Sequence, residues 1–342
     1  MPTYAGGVGR STQIRMAVIG AGSWGTTVAA IASVNTPTVL WARRDELVDQ
    51  INTARVNPEY LPSFTLPDQL RATASMGEAV ADADVLVMAV PSHGFREIAC
   101  QVEPHLRPWV PVVSLAKGIE PGTLKRMTEV AAEVMPGRPV GLMTGPNLAK
   151  EIMAGQPAAT VVAIPDETIA RELQRILTRP SLRVYTNPDV VGCEVAGVVK
   201  NVIAIASGMA EGMGFGDNTR ATLITRGLAE MARLGVAMGG DPLTFAGLAG
   251  MGDLIATCAS KQSRNNSVGL ALGQGRKIDE IVGSMTMVAE GVKSSPSVLA
   301  LAQRHGIEMP ITEQVVAVCH DGRTAADAVA ALMSRSSKSE LS

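Results

Sequence analysis

At 342 residues the chain is long enough for two domains, and its 46% of hydrophobic residues supply two cores without a disulfide or metal staple. Lys and Arg number 30 against 32 Asp and Glu, so the formal net charge of −2 offers no basic footprint for nucleic acid or an anionic membrane. Aromatics at 3% provide no platform for stacking single-stranded bases.

The first residues, Met1 to Arg10, lack an apolar h-region, so a signal peptide is not expected, and residues 1–14 read as a disordered extension. Met16-Ala-Val-Ile19 is a short apolar strand followed at once by Gly20-Ala-Gly-Ser-Trp-Gly25 and a helix from Thr26 to Ser33. Strand, G-x-G-x-x-G and helix in that order form a dinucleotide-binding fingerprint. Gly20 permits the tight turn, Gly22 lets backbone approach a pyrophosphate, and Gly25 lets helix and strand pack closely. A glycine turn of some other α/β protein is the bland alternative. Thr38-Val-Leu-Trp41 is the second strand. Arg43 and Arg44 follow where an NAD-selective site places an acid. They suit a 2′-phosphate and predict that NADPH is accepted, unless they are merely solvated surface arginines.

Further apolar strands run from Asp84 to Val90, Val110 to Ala116 and Val140 to Met143, and a helix from Leu148 to Ala154 follows the last. Ligands of an open parallel sheet bind at the carboxyl ends of its strands. Ser92, His93, Lys117 and Asn147 therefore share one rim. Lys117 is the sharpest candidate among them, against the default of a loop lysine. Strands Thr160 to Ile164 and Leu182 to Tyr185, with the helix Glu167 to Leu177 between them, extend the pattern. The domain boundary is placed at about residue 195.

A long apolar helix spans Glu194 to Glu211. Lys200 is its only charge between those glutamates, beside Asn201 in a wall of Val, Ile, Ala and Gly. A helix apolar nearly all round is buried, and a buried ammonium must be paired or lose its proton. Lys200 is thus either a proton-transfer group with a lowered pKa or a snorkelling core lysine. No uninterrupted run approaches the roughly 18 apolar residues of a membrane span.

After Lys200 the strand signals stop. Helical periodicity covers Thr219 to Leu234, Ser267 to Leu272, Ile278 to Ser284, Ser297 to Arg304, Ile311 to Val318 and Ala325 to Met333. An all-helical domain of residues 196–333 follows, with a disordered Ser-rich tail at 334–342. A glycine-rich loop delivers Asp253. The polar cluster Lys261 to Ser267 sets Arg264 between Ser263 and Asn265 at a helix start, which suits phosphate as well as an ordinary N-cap. Glu290 lies in a third polar break, Val288 to Lys293. Cys100, Cys193, Cys258 and Cys319 lie far apart without zinc spacing, so they read as core thiols of a reducing cytoplasm, with no metal site.

Gly20-Ala-Gly-Ser-Trp-Gly25, Val90-Pro-Ser-His93, Ala116-Lys-Gly118, Gly145-Pro-Asn147, Val199-Lys-Asn-Val202, Thr225-Arg-Gly-Leu-Ala-Glu230, Gly252-Asp-Leu254, Gln262-Ser-Arg-Asn265 and Glu290-Gly291 occur in this order. On these motifs the chain resembles the bacterial soluble NAD(P)-dependent glycerol-3-phosphate dehydrogenases from about residue 15 to 333. The resemblance implies an α/β fold: a Rossmann-type doubly wound sheet domain (15–195), then an all-α domain of the 6-phosphogluconate dehydrogenase C-terminal type. It implies reversible NAD(P)H-dependent reduction of dihydroxyacetone phosphate to sn-glycerol 3-phosphate, which supplies glycerophospholipid synthesis. NADP(H) or NAD(H) would be lined by Ser23, Trp24, Arg43, Lys117, Ala149, Arg264, Val288 and Glu290. The substrate would be held by Lys117, Gly145, Asn147, Lys200, Asp253, Ser263, Arg264 and Asn265, with Lys200 as proton acceptor. Asn147 departs from the Ser or Thr common in the family. A homodimer is likewise implied by the family. The competing readings are a hydroxyacid or ketopantoate-type dehydrogenase and a non-catalytic NADP(H) sensor.

Overall fold

The computed structural model describes residues 13–283, 285, 289–336 and 339. Val288, Ser284, residues 1–12 and most of the 337–342 tail lie outside the described residues, and so do the expectations placed on them. Eight strands form one sheet in the order β3-β2-β1-β4-β5-β6-β7-β8, where β1 is Met16–Ile19, β2 Thr38–Trp41, β3 Arg71–Thr73, β4 Val85–Met88, β5 Val112–Ser114, β6 Val140–Thr144, β7 Ala158–Ala163 and β8 Leu182–Asn187. The first six strands are parallel, in the order of a dinucleotide-binding sheet. β7 departs from the expected parallel continuation. It returns antiparallel to β6, because the short segment Ala149–Met153 between them is too brief to cross over the sheet. β8 then pairs parallel to β7.

Alternate residues of β1 serve opposite faces: Met16 and Val18 join one core, Ala17 and Ile19 the other. Both faces are covered, which explains why the strands read as unbroken apolar runs. Ile19 is in register with both Trp41 and Met88, so the loops after β1, β2 and β4 leave on the same rim.

The 23-residue helix Val190–Gly212 is the axis of the helical half and is buried from Gly192 to Ala210. By length and composition it is apolar enough to cross a membrane, but 89% of its most apolar stretch is buried within the protein, as in a core helix, and Lys200 interrupts the apolar run. Around it pack Asp217–Ala237, Asp253–Ala259, Arg264–Gly273, Glu290–Arg304 and Pro310–His320. The crossing with Arg264–Gly273 is backbone against backbone. A Cβ at Gly208 or Gly212 would strike the carbonyl oxygen of Asn266 or Leu270, and one at Gly269 or Gly273 that of Ile205 or Met209.

Two further expectations need correction. Asp253 opens a helix, Asp253–Ala259, rather than ending a loop. Cys100 is exposed, unlike the buried Cys193, Cys258 and Cys319, because it falls on the outer side of the amphipathic helix Phe95–Val102. Among the described residues no three His, Cys, Asp or Glu side chains converge as a metal site.

Candidate active site

The Gly20 turn needs a backbone that only glycine adopts easily, at φ +116°. Gly22 caps the helix Ser23–Ser33, with open space where its side chain would be. Gly25 packs against the Gly20 carbonyl, leaving no room for a Cβ. Trp24 stands in the first turn with its Nε1 buried and unpartnered. Ala149 opens the short helix Ala149–Met153, which rests on the Ser23–Ser33 helix and so borders the same turn. Arg43 and Arg44 are exposed beyond β2, and Arg44 forms an ion pair with Glu59.

Across the rim, Lys117 leaves β5 and reaches toward the helical half. Its Nζ donates to the Gly145 carbonyl oxygen at 3.2 Å and to Asp253 Oδ2 at 2.5 Å. The second oxygen of Asp253, Oδ1, lies 3.0 Å from Lys200 Nζ. Lys200 Nζ also donates to Thr257 Oγ1 at 2.7 Å, and that hydroxyl donates to the Asp253 backbone carbonyl at 2.6 Å. Asp253 and Thr257 are one helical turn apart, so a single helix face presents both to Lys200. Lys200 is therefore paired inside the protein, with only 9% of its side chain exposed, and does not snorkel.

Two cations bracket one carboxylate, leaving a net positive charge in a site nearly closed to water. Burial pushes the Lys200 ammonium down to about 8; Asp253 opposes the fall and Lys117 adds to it. Burial favours protonated Asp253, but the charges of Lys117 and Lys200 outweigh it and hold the group below the ordinary aspartate range. An ammonium has three donors. Two on Lys200 go to Thr257 and Asp253, which leaves one donor for a further oxygen acceptor.

The loop Gly145 to Asn147 borders this cluster. Both polar atoms of the Asn147 amide are buried and lack a partner, a costly state unless a ligand completes it. On the facing side, Ser263 caps the helix Arg264–Gly273 by accepting from Asn266 N at 3.2 Å. Arg264 is exposed at that helix start, within electrostatic reach of Glu290. The Asn265 amide faces inward. It donates to Asn201 Oδ1 at 2.9 Å and accepts from Gly291 N at 3.0 Å, so it ties three helices together.

Sequence reasoning missed Thr257, whose signal was its spacing from Asp253. It also left Asn201 without a partner, and Asn201 lies beside the Lys117 carbonyl, 3.4 Å from its Nδ2. Ser92 makes a rim contact with Glu290, whereas His93 is exposed and stays apart from the cluster.

Family models place residues 15–170 as NAD-dependent glycerol-3-phosphate dehydrogenase N-terminus and 189–330 as its C-terminus. The chain is 59% identical over 324 residues to a glycerol-3-phosphate dehydrogenase (NAD(P)+) of Sphingopyxis alaskensis, covering 95% of this chain and 97% of the relative. Identity to the enzyme of that name from Streptomyces coelicolor is 52%, covering 96% and 99%. The crystal structure of glycerol-3-phosphate dehydrogenase from Coxiella burnetii superposes with a TM-score of 0.90 at 37% identity, over 94% of this chain and 99% of that one. A ketopantoate reductase from Ralstonia eutropha matches at TM-score 0.56 and 16% identity over 90% and 97%, a likeness of fold alone. With both halves matched over nearly their full length, this chain belongs to the NAD-dependent glycerol-3-phosphate dehydrogenase family.

Proposed function

We propose that the protein reduces dihydroxyacetone phosphate to sn-glycerol 3-phosphate reversibly with NADPH or NADH, a product that feeds glycerophospholipid synthesis. The observation that carries this is the Lys117–Asp253–Lys200–Thr257 cluster at the rim between the two halves, with Asp253, Lys200 and Thr257 buried and Lys117 half-buried. In this reading residues 15–195 bind the dinucleotide and 196–333 supply substrate contacts and the proton. The open space at Gly22, the unpartnered Trp24 Nε1 and the exposed Arg43 fit a dinucleotide on the first rim. Ala149 and Glu290 border it.

When bound, the nicotinamide supplies the hydride to the carbonyl carbon. Lys200 donates the proton to the carbonyl oxygen in reduction and, once neutral, removes the hydroxyl proton in oxidation. Lys117 adds positive charge where the oxygen develops negative charge. Asp253 holds both ammoniums in place. Asn147 and the Gly145 loop take the free hydroxyl. Ser263, Arg264 and the adjoining helix N-terminus take the phosphate, with Asn265 fixing that loop on the lysine helix.

The direct test follows the absorbance of reduced nicotinamide with dihydroxyacetone phosphate, NADPH against NADH, and then with non-phosphorylated keto acids. Turnover of the keto acids alone would favour the ketopantoate-type reading, and none with any substrate would favour a sensor. Arg264→Ala is expected to raise the KM for dihydroxyacetone phosphate by about tenfold or more, the scale of a lost charge-assisted hydrogen bond. An unaltered KM removes Arg264 from the phosphate site.

The pH profile has a fixed sign. With Lys200 at about 8, the oxidising kcat/KM climbs as pH rises toward 8, because the base must be neutral, and levels above it. The reducing direction falls above the same pH, because the donor must be protonated. Lys117→Gln removes a charge that lowers Lys200, so both profiles move to higher pH. Parallel profiles in the two directions would argue against Lys200 as the shared group.

Assembly as a homodimer in the cytoplasm completes the proposal. Phe215, Val236, Leu243, Met251 and Ile255 are large apolar side chains exposed on the helical half, which supports contact there.

A further inference from the structure

The Glu290 carboxylate reaches across the rim to the sheet domain and is met there by one residue on both oxygens. Ser92 N donates to Oε1 at 3.2 Å, and Ser92 Oγ donates to Oε2 at 2.6 Å. Ser92 follows β4, and Glu290 opens the helix Glu290–Arg304. We propose that Ser92 is a positioning residue that holds the Glu290 carboxylate ready at the mouth of the cofactor cleft.

Three surrounding features make this a built contact. Ser92 is buried, so its hydroxyl has few other partners to choose from. Gly118, directly after Lys117, packs against Ser92; a Cβ there would overlap the Ser92 side chain and sit 3.2 Å from Glu290 Oε2. On the helical side, Gly291 N donates to Asn265 Oδ1, while its Cα lies so close to the Asn201 carbonyl that a Cβ would fall 2.7 Å from that oxygen. The Glu290-Gly291 pair is thus fastened to the β4 rim, the Arg264 loop and the lysine helix together. An ionised carboxylate is an acceptor only. Its remaining lone pairs therefore suit a hydroxyl or amide N–H of the cofactor, such as a ribose hydroxyl, and repel its phosphates. Holding that acceptor in place beforehand spares the cost of ordering a long side chain on binding.

The inference rests on the nicotinamide dinucleotide reading above, and its test separates the two. NADPH affinity is measured by fluorescence titration for the wild type, Ser92→Ala, Glu290→Ala and the double variant, beside kcat and both KM values. Ser92→Ala is expected to raise the NADPH Kd about tenfold, the scale of one hydrogen bond to a charged group. Its KM for NADPH rises in step, while kcat and the KM for dihydroxyacetone phosphate change less than about threefold on that same scale. If Ser92 acts through Glu290, the double variant binds no worse than Glu290→Ala alone. Gly118→Ala, which displaces the Ser92 hydroxyl without removing it, reproduces the loss and serves if Ser92→Ala folds poorly. A wild-type Kd in both Ser92→Ala and Gly118→Ala, tighter binding in either, or multiplying losses in the double variant would overturn the proposal. A wild-type protein that binds neither NADPH nor NADH would instead overturn the cofactor reading, and this inference with it.

Discussion

Lys200→Ala is expected to cut kcat in both directions by about three orders of magnitude, within the 10²–10⁴ that a positioned acid–base group contributes. NADPH affinity should stay near wild type, because Lys200 faces Asp253 and Thr257 on the helical half, away from the glycine fingerprint. The fold should persist as well, since Asp253 keeps Lys117 as its partner at 2.5 Å. Single-turnover rates beside a fluorescence titration of NADPH test both halves of this expectation. Turnover near the wild-type rate would sink the proton-transfer role.

Asp253→Asn should produce the second large effect by another route. Asp253 is 2% exposed and stands between two ammoniums. Without its charge, two cations share a buried site with nothing to offset them. Removing one partner of a buried ionic group costs about 3–5 kcal/mol. The chain relieves part of this by releasing a proton from Lys200, since Asp253 is the charge that raises its pKa against burial. The expected results are a lower urea midpoint and a reducing activity that survives only at more acid pH. A variant with wild-type stability and an unshifted pH profile would show that Asp253 does not govern Lys200.

The parts of this site that were legible in the sequence are those whose residue type conflicts with their surroundings. One lysine in an apolar helix, glycines directly after a strand and an arginine between Ser and Asn each demand a reason within a few residues. The parts that escaped depend on distance in the fold. Thr257 looks like an unremarkable member of the apolar stretch Leu254 to Ala259. Its role emerges only because Asp253 starts a helix and so lies one turn away on the same face. Ser92 and Glu290 meet across 198 positions, and no local pattern encodes that pairing. The three-residue β3 is too short to show periodicity, and the reversal at β7 follows from a connection length that strand patterns alone do not register.

The glycine crossing of the two central helices bears on which substrates can react. Arg264 stands at the start of one helix and Lys200 within the other. Their axes are locked by peptide groups touching peptide groups, with no side chain between them to yield. In the proposed reading, with Arg264 on the phosphate and Lys200 on the carbonyl oxygen, the crossing acts as a caliper that fixes the distance between the two. A phosphorylated ketone with one carbon more or fewer would present its carbonyl off the mark, and a misplacement of about 1 Å can cost on the order of a hundredfold in rate. Chain length would be measured by the skeleton of the protein itself, before any side chain judges the chemistry.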